Sequence, residues 1–218
     1  MQLRSESKID AIADKQWDIL LSKSFPFLKH AFLSSLEESS CVGEESGWKP
    51  CHLSLWDKKK LTGAICLYEK NNGYGEYIFD WGWEKAYEQY GLNYYPKLVS
   101  AIPFTPATGA KLLVNPEADL RLVQTKLLDG AILTMRERKC SSMHFLFITE
   151  DELPIFVEKG FLIRHSFQYH WKNNNYYDFN DFLSALKGKR RKEIIRERRQ
   201  IQNQRIIIKV YEGEKIIP

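Results

Sequence analysis

Apolar positions spaced three and four apart trade places with alternating or continuous apolar runs along this 218-residue chain, and the switches between the two periods predict an α/β protein. In residues 10–20, Ile12, Ala13, Trp17, Ile19 and Leu20 share one helical face. A second helix follows, with Ser24 as cap, Pro26 in the first turn, and Phe27, Leu28, Ala31, Phe32 and Leu36 as its stripe up to Glu38. The polar residues 39–47 read as a loop. Residues 48–57 and 61–70 read as two strands joined across Asp57-Lys58-Lys59-Lys60. A hairpin folded there sets Leu53 opposite Ile65, Cys51 opposite Leu67 and His52 opposite Cys66. Asn71-Asn72-Gly73 then turns the chain towards a short segment at 77–79.

Residues 75–113 break the pattern: too aromatic for a loop, too irregular for a helix. Trp81, Trp83, Tyr87, Tyr90, Tyr94, Tyr95 and Phe104 crowd with Asp80, Glu84 and Lys97 among several glycines and prolines. Rings with a few fixed polar groups suit a ligand cleft; they equally suit a core corner packed by large side chains. Residues 97–104 read as a buried strand ending at Pro103, with a loop over 105–110. A long helix follows, with Asn115 as cap, Pro116 as first residue and Leu120, Val123, Leu127, Leu128, Ala131 and Met135 as its stripe. Residues 143–148 form a strand, and Thr149 with Glu152 forms a capping box for a helix that runs to Lys159 and stops at Gly160. A strand over 161–171, a helix over 181–202 capped by Asp178 or Asn180, and a strand over 206–211 complete the chain.

With 44% hydrophobic and 28% charged residues, the composition is that of a folded globular protein rather than a disordered one. No apolar run reaches the roughly 18 residues of a membrane span, and the N-terminus is mixed in charge, so a cytoplasmic location is expected. Cys41, Cys51, Cys66 and Cys140 lack the short paired spacing of a metal or redox site. Free buried thiols and no metal are the expectation. The net charge of +4 is unevenly spread: nine basic residues against Glu193 and Glu197 between Lys187 and Arg205 make that segment +7 and leave the remainder at −3. At 100° per residue, Lys189, Lys192, Arg196 and Arg199 fall on one side of the last helix, opposite Leu183, Leu186, Ile194 and Ile201. Such a stripe holds phosphates or is a solvated face.

Candidate bases are Asp80, Glu152 and His170. Glu152 reads more readily as the capping-box acid. His165 and His170, five apart on a strand, face opposite ways and do not share a metal. His52 beside Cys66 lacks a third orienting group, which favours a packed strand face over a nucleophilic pair.

Residues 143–172, with the step Glu158-Lys159-Gly160-Phe161, resemble the closing part of the GNAT acyltransferase fold. A finer resemblance covers nearly the whole chain. Phe25-Pro26-Phe27-Leu28, His30-Ala31-Phe32-Leu33, Glu76-Tyr77-Ile78-Phe79-Asp80-Trp81, Tyr94-Tyr95-Pro96-Lys97-Leu98, Pro103-Phe104-Thr105-Pro106 with Thr108-Gly109, His144-Phe145, Gln168-Tyr169-His170-Trp171 and Lys189-Arg190-Arg191-Lys192 are similar to the FemAB-like family of N-acyltransferases related to peptidoglycan biosynthesis. The resemblance implies an α/β, GNAT-like mixed β-sheet flanked by helices. It also implies an enzyme that transfers an acyl or aminoacyl group to an amine.

Asp80, Glu152 and His170 remain the catalytic candidates, and the resemblance gives Asp80, Trp81 and the loop 103–109 their weight as groove residues; Trp81, Trp83, Tyr95, Phe104, Thr105, Thr108, Gly109, Gln168 and Trp171 are the substrate-binding candidates. Lys189, Arg190, Lys192 and Arg196 would meet phosphates of a tRNA or a nucleotide-linked precursor. The donor is an acyl-CoA or an aminoacyl-tRNA. FemAB-like proteins resemble two GNAT-like halves in tandem, which implies a first half over residues 1–175 and the start of a second, largely absent half over 176–218. An open sheet edge in such a chain invites a second copy, giving a homodimer. Two departures stand out: the loop 105–111 keeps only Gly109-Ala110 of the usual pyrophosphate-binding glycine pattern, and the chain stops where the second half would start. The alternative is a non-catalytic module that holds a peptide, nucleotide or cell-wall precursor in the aromatic groove.

Overall fold

The computed structural model describes residues 1–21, 25–204 and 206–213; Ser24, expected as a helix cap, and Arg205 of the basic segment lie outside them. In chain order the elements are β1 (Gln2–Glu6), α1 (Asp14–Asp18), α2 (His30–Glu38), β2 (Trp48–Pro50), β3 (His52–Asp57), β4 (Lys60–Ile65), β5 (Tyr68–Lys70), α3 (Trp81–Gln89), β6 (Lys97–Ser100), β7 (Leu113–Val114), α4 (Leu120–Glu137), β8 (Met143–Phe145), α5 (Leu153–Glu158), α6 (Phe179–Ala185) and α7 (Gly188–Asn203). The fold is α/β. Residues 1–166 and 167–218 form two compact units.

In the first unit, the expected hairpin carries two sheets at once. Its outer halves pair as β3 and β4, with Leu53 opposite Ile65 as the alternation predicts. Its inner halves, β2 and β5, belong to a second sheet, and the Cys51 amide bonded to the Leu67 carbonyl at 2.9 Å joins the two stretches. The first sheet, β1-β3-β4-β7, is antiparallel; the second, β2-β5-β6-β8, is mixed, because β6 and β8 run parallel. A parallel pair needs a crossover, and α4 lies in it. Period-two alternation sends Leu53, Leu55, Ile65 and Leu67 into one core with Val123, Leu127, Leu128 and Phe156. Trp56, Ala64, Cys66 and Tyr68 enter the other with Ile9, Trp17, Leu33 and Trp48. Each large apolar side chain so buried contributes roughly 1.5–3 kcal/mol.

Several expectations need correction. The helix over 10–20 is a 3-10 turn at Ile9–Ala11 and the short α1, separated by extended backbone at Ile12 and Ala13. The next helix is likewise a 3-10 turn, Pro26–Leu28, broken at Lys29 before α2. Asp18 Oδ1 takes the free His30 amide at 2.9 Å and so opens α2 from a neighbouring element. Residues 81–89, read as irregular, form α3, and no strand forms at 77–79. The buried strand of 97–104 ends at Ser100. Helix α4 begins at Leu120 rather than Pro116, capped by Asp119 Oδ1, which accepts the Leu122 amide at 2.8 Å. Asn115 Oδ1 instead accepts the Glu117 amide, and its Nδ2 bonds the Leu61 carbonyl. Cys41 is exposed while the other three thiols are buried, and all four are free.

The capping box at Thr149 and Glu152 is present, and the helix stops at Gly160, whose φ of 81° suits a residue without a Cβ. The described residues 161–171 and 206–211, expected as strands, form none. In the second unit Asp178 Oδ1 caps α6 at the Asp181 amide. The expected single helix breaks at Leu186, whose ψ is 150°, so the phase of Leu183 and Leu186 does not carry into α7. No helix among the described residues is long and apolar enough to cross a membrane.

Candidate functional site

All four residues of β6 are buried, and the first of them is a lysine. A buried ammonium is costly unless carboxylates compensate it, and the segment leaving β5 supplies two. Lys97 Nζ lies 2.9 Å from Glu76 Oε2 and 2.5 Å from Asp80 Oδ2. Asp80 occupies the cap position of α3, yet its side chain makes no cap hydrogen bond and turns inward instead. Tyr94 Oη donates to the same Oδ2 at 2.5 Å. The Lys97 ammonium also lies over the rings of Tyr94 and Tyr95, at 5.2 and 5.5 Å from their centres, a cation–π arrangement that favours the charge further.

Lys70 sits directly opposite Lys97 across β5 and β6, and like charges in that position repel. Lys70 Nζ reaches the Tyr74 carbonyl at 3.1 Å and Asn72 Oδ1 at 3.4 Å, and lies 4.0 Å over the Trp48 ring. Burial, with Lys97 adding to it and Glu76 opposing, brings its ammonium down to about 8. Burial alone would push Asp80 up, but the hydrogen bonds from Lys97 and Tyr94 outweigh it and hold the carboxyl below its ordinary value, so it is ionised at neutral pH. Glu76 is pushed up by burial against the pull of Lys97. His144, on β8, places Nε2 at 2.8 Å from Ser142 Oγ and 3.4 Å from Tyr94 Oη. Burial first, then the charge of Lys97, lower it to about 4, leaving a neutral imidazole. The sequence singles out Asp80, Tyr95 and Lys97, names Glu76 and His144 only as parts of the family resemblance without a role, and does not point to Lys70 as a site residue. The signal was there: a lysine opening an otherwise uncharged, buried strand, Lys97-Leu98-Val99-Ser100, requires buried acids nearby.

A second buried acid has another task. Glu152 Oε1 accepts the amides of Lys111 and Leu112, both at 2.7 Å, while Oε2 takes the Thr149 amide at 3.3 Å and its hydroxyl at 3.1 Å. Lys111 Nζ in turn donates to the carbonyls of Gly109 at 2.5 Å and Phe147 at 3.0 Å. These bonds pin the loop carrying Thr105, Thr108 and Gly109 to the segment before α5. They engage both Glu152 oxygens twice, which suits a strut better than a proton acceptor.

The aromatic stretch gives an exposed face. Trp81 and Trp83 are 64% and 56% exposed, α3 buries no residue, and Phe79 and Trp81 stack with centres 4.6 Å apart. Phe104, at a φ of 56°, leans on Trp48. The His52 pair is a packed strand face: Nε2 meets Glu37 Oε1 at 3.0 Å and Nδ1 accepts the Leu67 amide, while Cys66 Sγ contacts Tyr68 Oη.

Gln168, His170 and Trp171 belong to the second unit, as do Lys189, Arg190, Lys192 and Arg196. His170 is exposed, with Nε2 at 3.2 Å from Gln168 Oε1. Trp171, Tyr176, Phe179 and Phe182 line a hollow of about 350 Å³, and Arg198 lies 4.4 Å over the Phe179 ring. Lys189, Lys192 and Arg196 are exposed along α7, and Arg190 pairs with Glu193 at 2.6 Å. Among the described residues no group of three or more His, Cys, Asp or Glu side chains is placed to hold a metal ion.

The model of the FemAB-like family, described as peptidoglycan biosynthesis/recognition, matches residues 8–218. A comparison with curated proteins finds no match. Among solved structures, the chain is similar to the aminoglycoside 6'-N-acetyltransferase AAC(6')-IG from Acinetobacter haemolyticus, at 13% identity and a TM-score of 0.45 over 80% of this chain and 100% of that one. It is similar to the aminoglycoside N-acetyltransferase AAC(6')-Iy in complex with CoA, at 10% identity and a TM-score of 0.49 over 78% and 93%. A third is the ribosomal-protein-alanine N-acetyltransferase from Brucella melitensis, at 10% identity and a TM-score of 0.48 over 79% and 100%.

Proposed function

The chain belongs to the FemAB-like family of peptidoglycan biosynthesis/recognition, and from that membership we propose that it is an N-acyltransferase, joining an acyl or aminoacyl group to an amine with Asp80 as the residue that receives the amine. In this reaction the amine nitrogen forms the new C–N bond, the ester or thioester bond of the donor breaks, and the proton shed by the nitrogen ends on the leaving group. Holding the two reactants in line supplies much of the acceleration. The observation that carries the reading is the asymmetry of Asp80. Its Oδ2 is fixed by Lys97 and Tyr94, while Oδ1 has no hydrogen bond among the described residues. A carboxylate held ionised in this way orients an ammonium or amine better than it removes a proton.

The donor is the aminoacyl or acyl ester rather than a CoA diphosphate seated on α4. Asp119 puts a carboxylate at that helix N-terminus and takes the Leu122 amide, where a diphosphate needs free N–H groups and no competing negative charge. A second reading, a binding module without catalysis, is favoured by the exposed Phe79, Trp81 and Trp83 rings, which suit a ligand laid on the surface.

The test is transfer of labelled acyl groups from acyl-CoAs and from aminoacyl-tRNA to amine-bearing cell-wall precursors. Transfer that falls about 10²-fold in Asp80→Asn is expected. Undiminished transfer in that variant would remove Asp80 from the site. Absence of transfer from every donor, together with a raised unfolding midpoint on adding precursor, would select the binding module.

A further inference from the structure

Three polar atoms in the Lys97 cluster are left open. Glu76 is 3% exposed, and its Oε1 is buried without a hydrogen-bond partner among the described residues. Tyr95 Oη is buried in the same condition. Asp80 Oδ1 is the third; it is not among the buried atoms, so solvent reaches it, and no hydrogen bond engages it among the described residues. Gly73 lies beside two of them: a Cβ built there would stand 3.1 Å from Tyr95 Oη and 3.9 Å from Asp80 Oδ1, with no other neighbour within 4 Å. Glu76 belongs to the same cluster through its other oxygen, Oε2, 2.9 Å from a Lys97 ammonium that lies 5.5 Å from the centre of the Tyr95 ring.

Buried polar atoms are seldom left unsatisfied. Here the open set comprises two carboxylate oxygens, which are acceptors, and a phenol, which can accept once its own proton is directed elsewhere. A primary ammonium has three N–H donors and a positive charge. Neighbouring Lys97 is already committed to the other oxygens of the same two carboxylates, so the open atoms ask for a second cation.

We infer that Gly73, Glu76, Asp80 and Tyr95 form a subsite for a primary alkylammonium group, which donates one hydrogen bond each to Glu76 Oε1, Asp80 Oδ1 and Tyr95 Oη. The inference deepens the N-acyltransferase reading, on which it rests for identifying that ammonium as the acceptor amine. The binding itself needs no acyl donor. The subsite selects against quaternary ammonium groups, which have no N–H to donate. Gly73 does not have the positive φ that would bar a side chain, so alanine there crowds the Tyr95 hydroxyl without straining the backbone.

The experiment is an NMR chemical-shift titration of the full chain with n-pentylammonium chloride and with N,N,N-trimethylpentylammonium chloride at one ionic strength, in the parent protein, Gly73→Ala and Tyr95→Phe. The primary amine is expected to bind at least tenfold tighter than the trimethyl form, and both variants to lose most of that preference. Tyr95→Phe removes only a hydroxyl that has no partner, so it remains a test even if Gly73→Ala fails to fold. Equal binding of the two probes, or a preference untouched in Tyr95→Phe, overturns the subsite. Amine binding that follows this pattern without any acyl transfer upholds the subsite and removes the enzyme reading; transfer unchanged in both variants does the reverse.

Discussion

Asp80 and Glu152 are both buried carboxylates beside a buried lysine, and sequence reasoning set them side by side as candidate bases, yet the structure employs them differently. Glu152 gives both oxygens to amides and a hydroxyl, and its neighbour Lys111 gives its protons to carbonyls, so acid and base each serve the backbone. Around Asp80 the charges serve each other. Lys97 ties Asp80 to Glu76, and one oxygen of each acid is left over. A saturated carboxylate stabilises a loop; a half-saturated one has capacity left for a ligand. Burial and charge alone do not separate the two cases, whereas counting the lone pairs does.

The contrast is broken most forcibly at Lys97. Lys97→Met strands two buried carboxylates and is expected to cost about 3–5 kcal/mol, read as a lower urea midpoint at unchanged slope; a loss below 1 kcal/mol would mean that the acids do not depend on this lysine. Next in size is the pH response of the same cluster. His144 in the folded chain titrates at about 4 instead of its ordinary 6.5, so between those values the unfolded chain binds a proton that the folded one refuses. Stability therefore falls as pH drops from 6.5 to 4, by an amount on the order of 3 kcal/mol, and this component levels off below 4. The difference between parent and His144→Asn, followed by urea denaturation across that window, isolates the effect; parallel curves would show a histidine that titrates normally. The smallest effect belongs to the other acid. Glu152→Gln sets an amide donor against backbone N–H groups and is expected to cost about 1–3 kcal/mol, with the transfer rate per folded molecule unchanged. A loss of transfer larger than the loss of folded protein would return Glu152 to the list of reacting groups.

What was legible in the sequence is what depends on neighbours close along the chain. The register of Leu53 against Ile65 follows from alternation across a short turn, and the box at Thr149 and the stop at Gly160 follow from local hydrogen bonding and φ. Helix α3 escaped because a helix that buries no residue leaves no apolar stripe to count. Strand β1 escaped because Gln2-Leu3-Arg4-Ser5-Glu6 is a mostly polar strand at the sheet edge, held by pairing with β3 rather than by its own propensity. Of the site, Asp80, Tyr95, Glu76 and His144 all stand in the words of the family resemblance, but only Asp80 and Tyr95 carry a role there. The roles of Glu76 and His144 depend on their meeting with Lys97, which is made by β5, β6 and β8 coming together from distant parts of the chain.

The hairpin that feeds strands into both sheets has a consequence for how the first unit opens. Since β3 and β4 continue into β2 and β5 around the Cys51–Leu67 hydrogen bond, the ladder of one sheet runs on into that of the other along a single hairpin. In the language of amide exchange, the two sheets belong to one cooperative opening unit. The loop from Asn71 to Asp80 is anchored to that ladder at Lys70 and, through Glu76 and Asp80, to the next strand at Lys97.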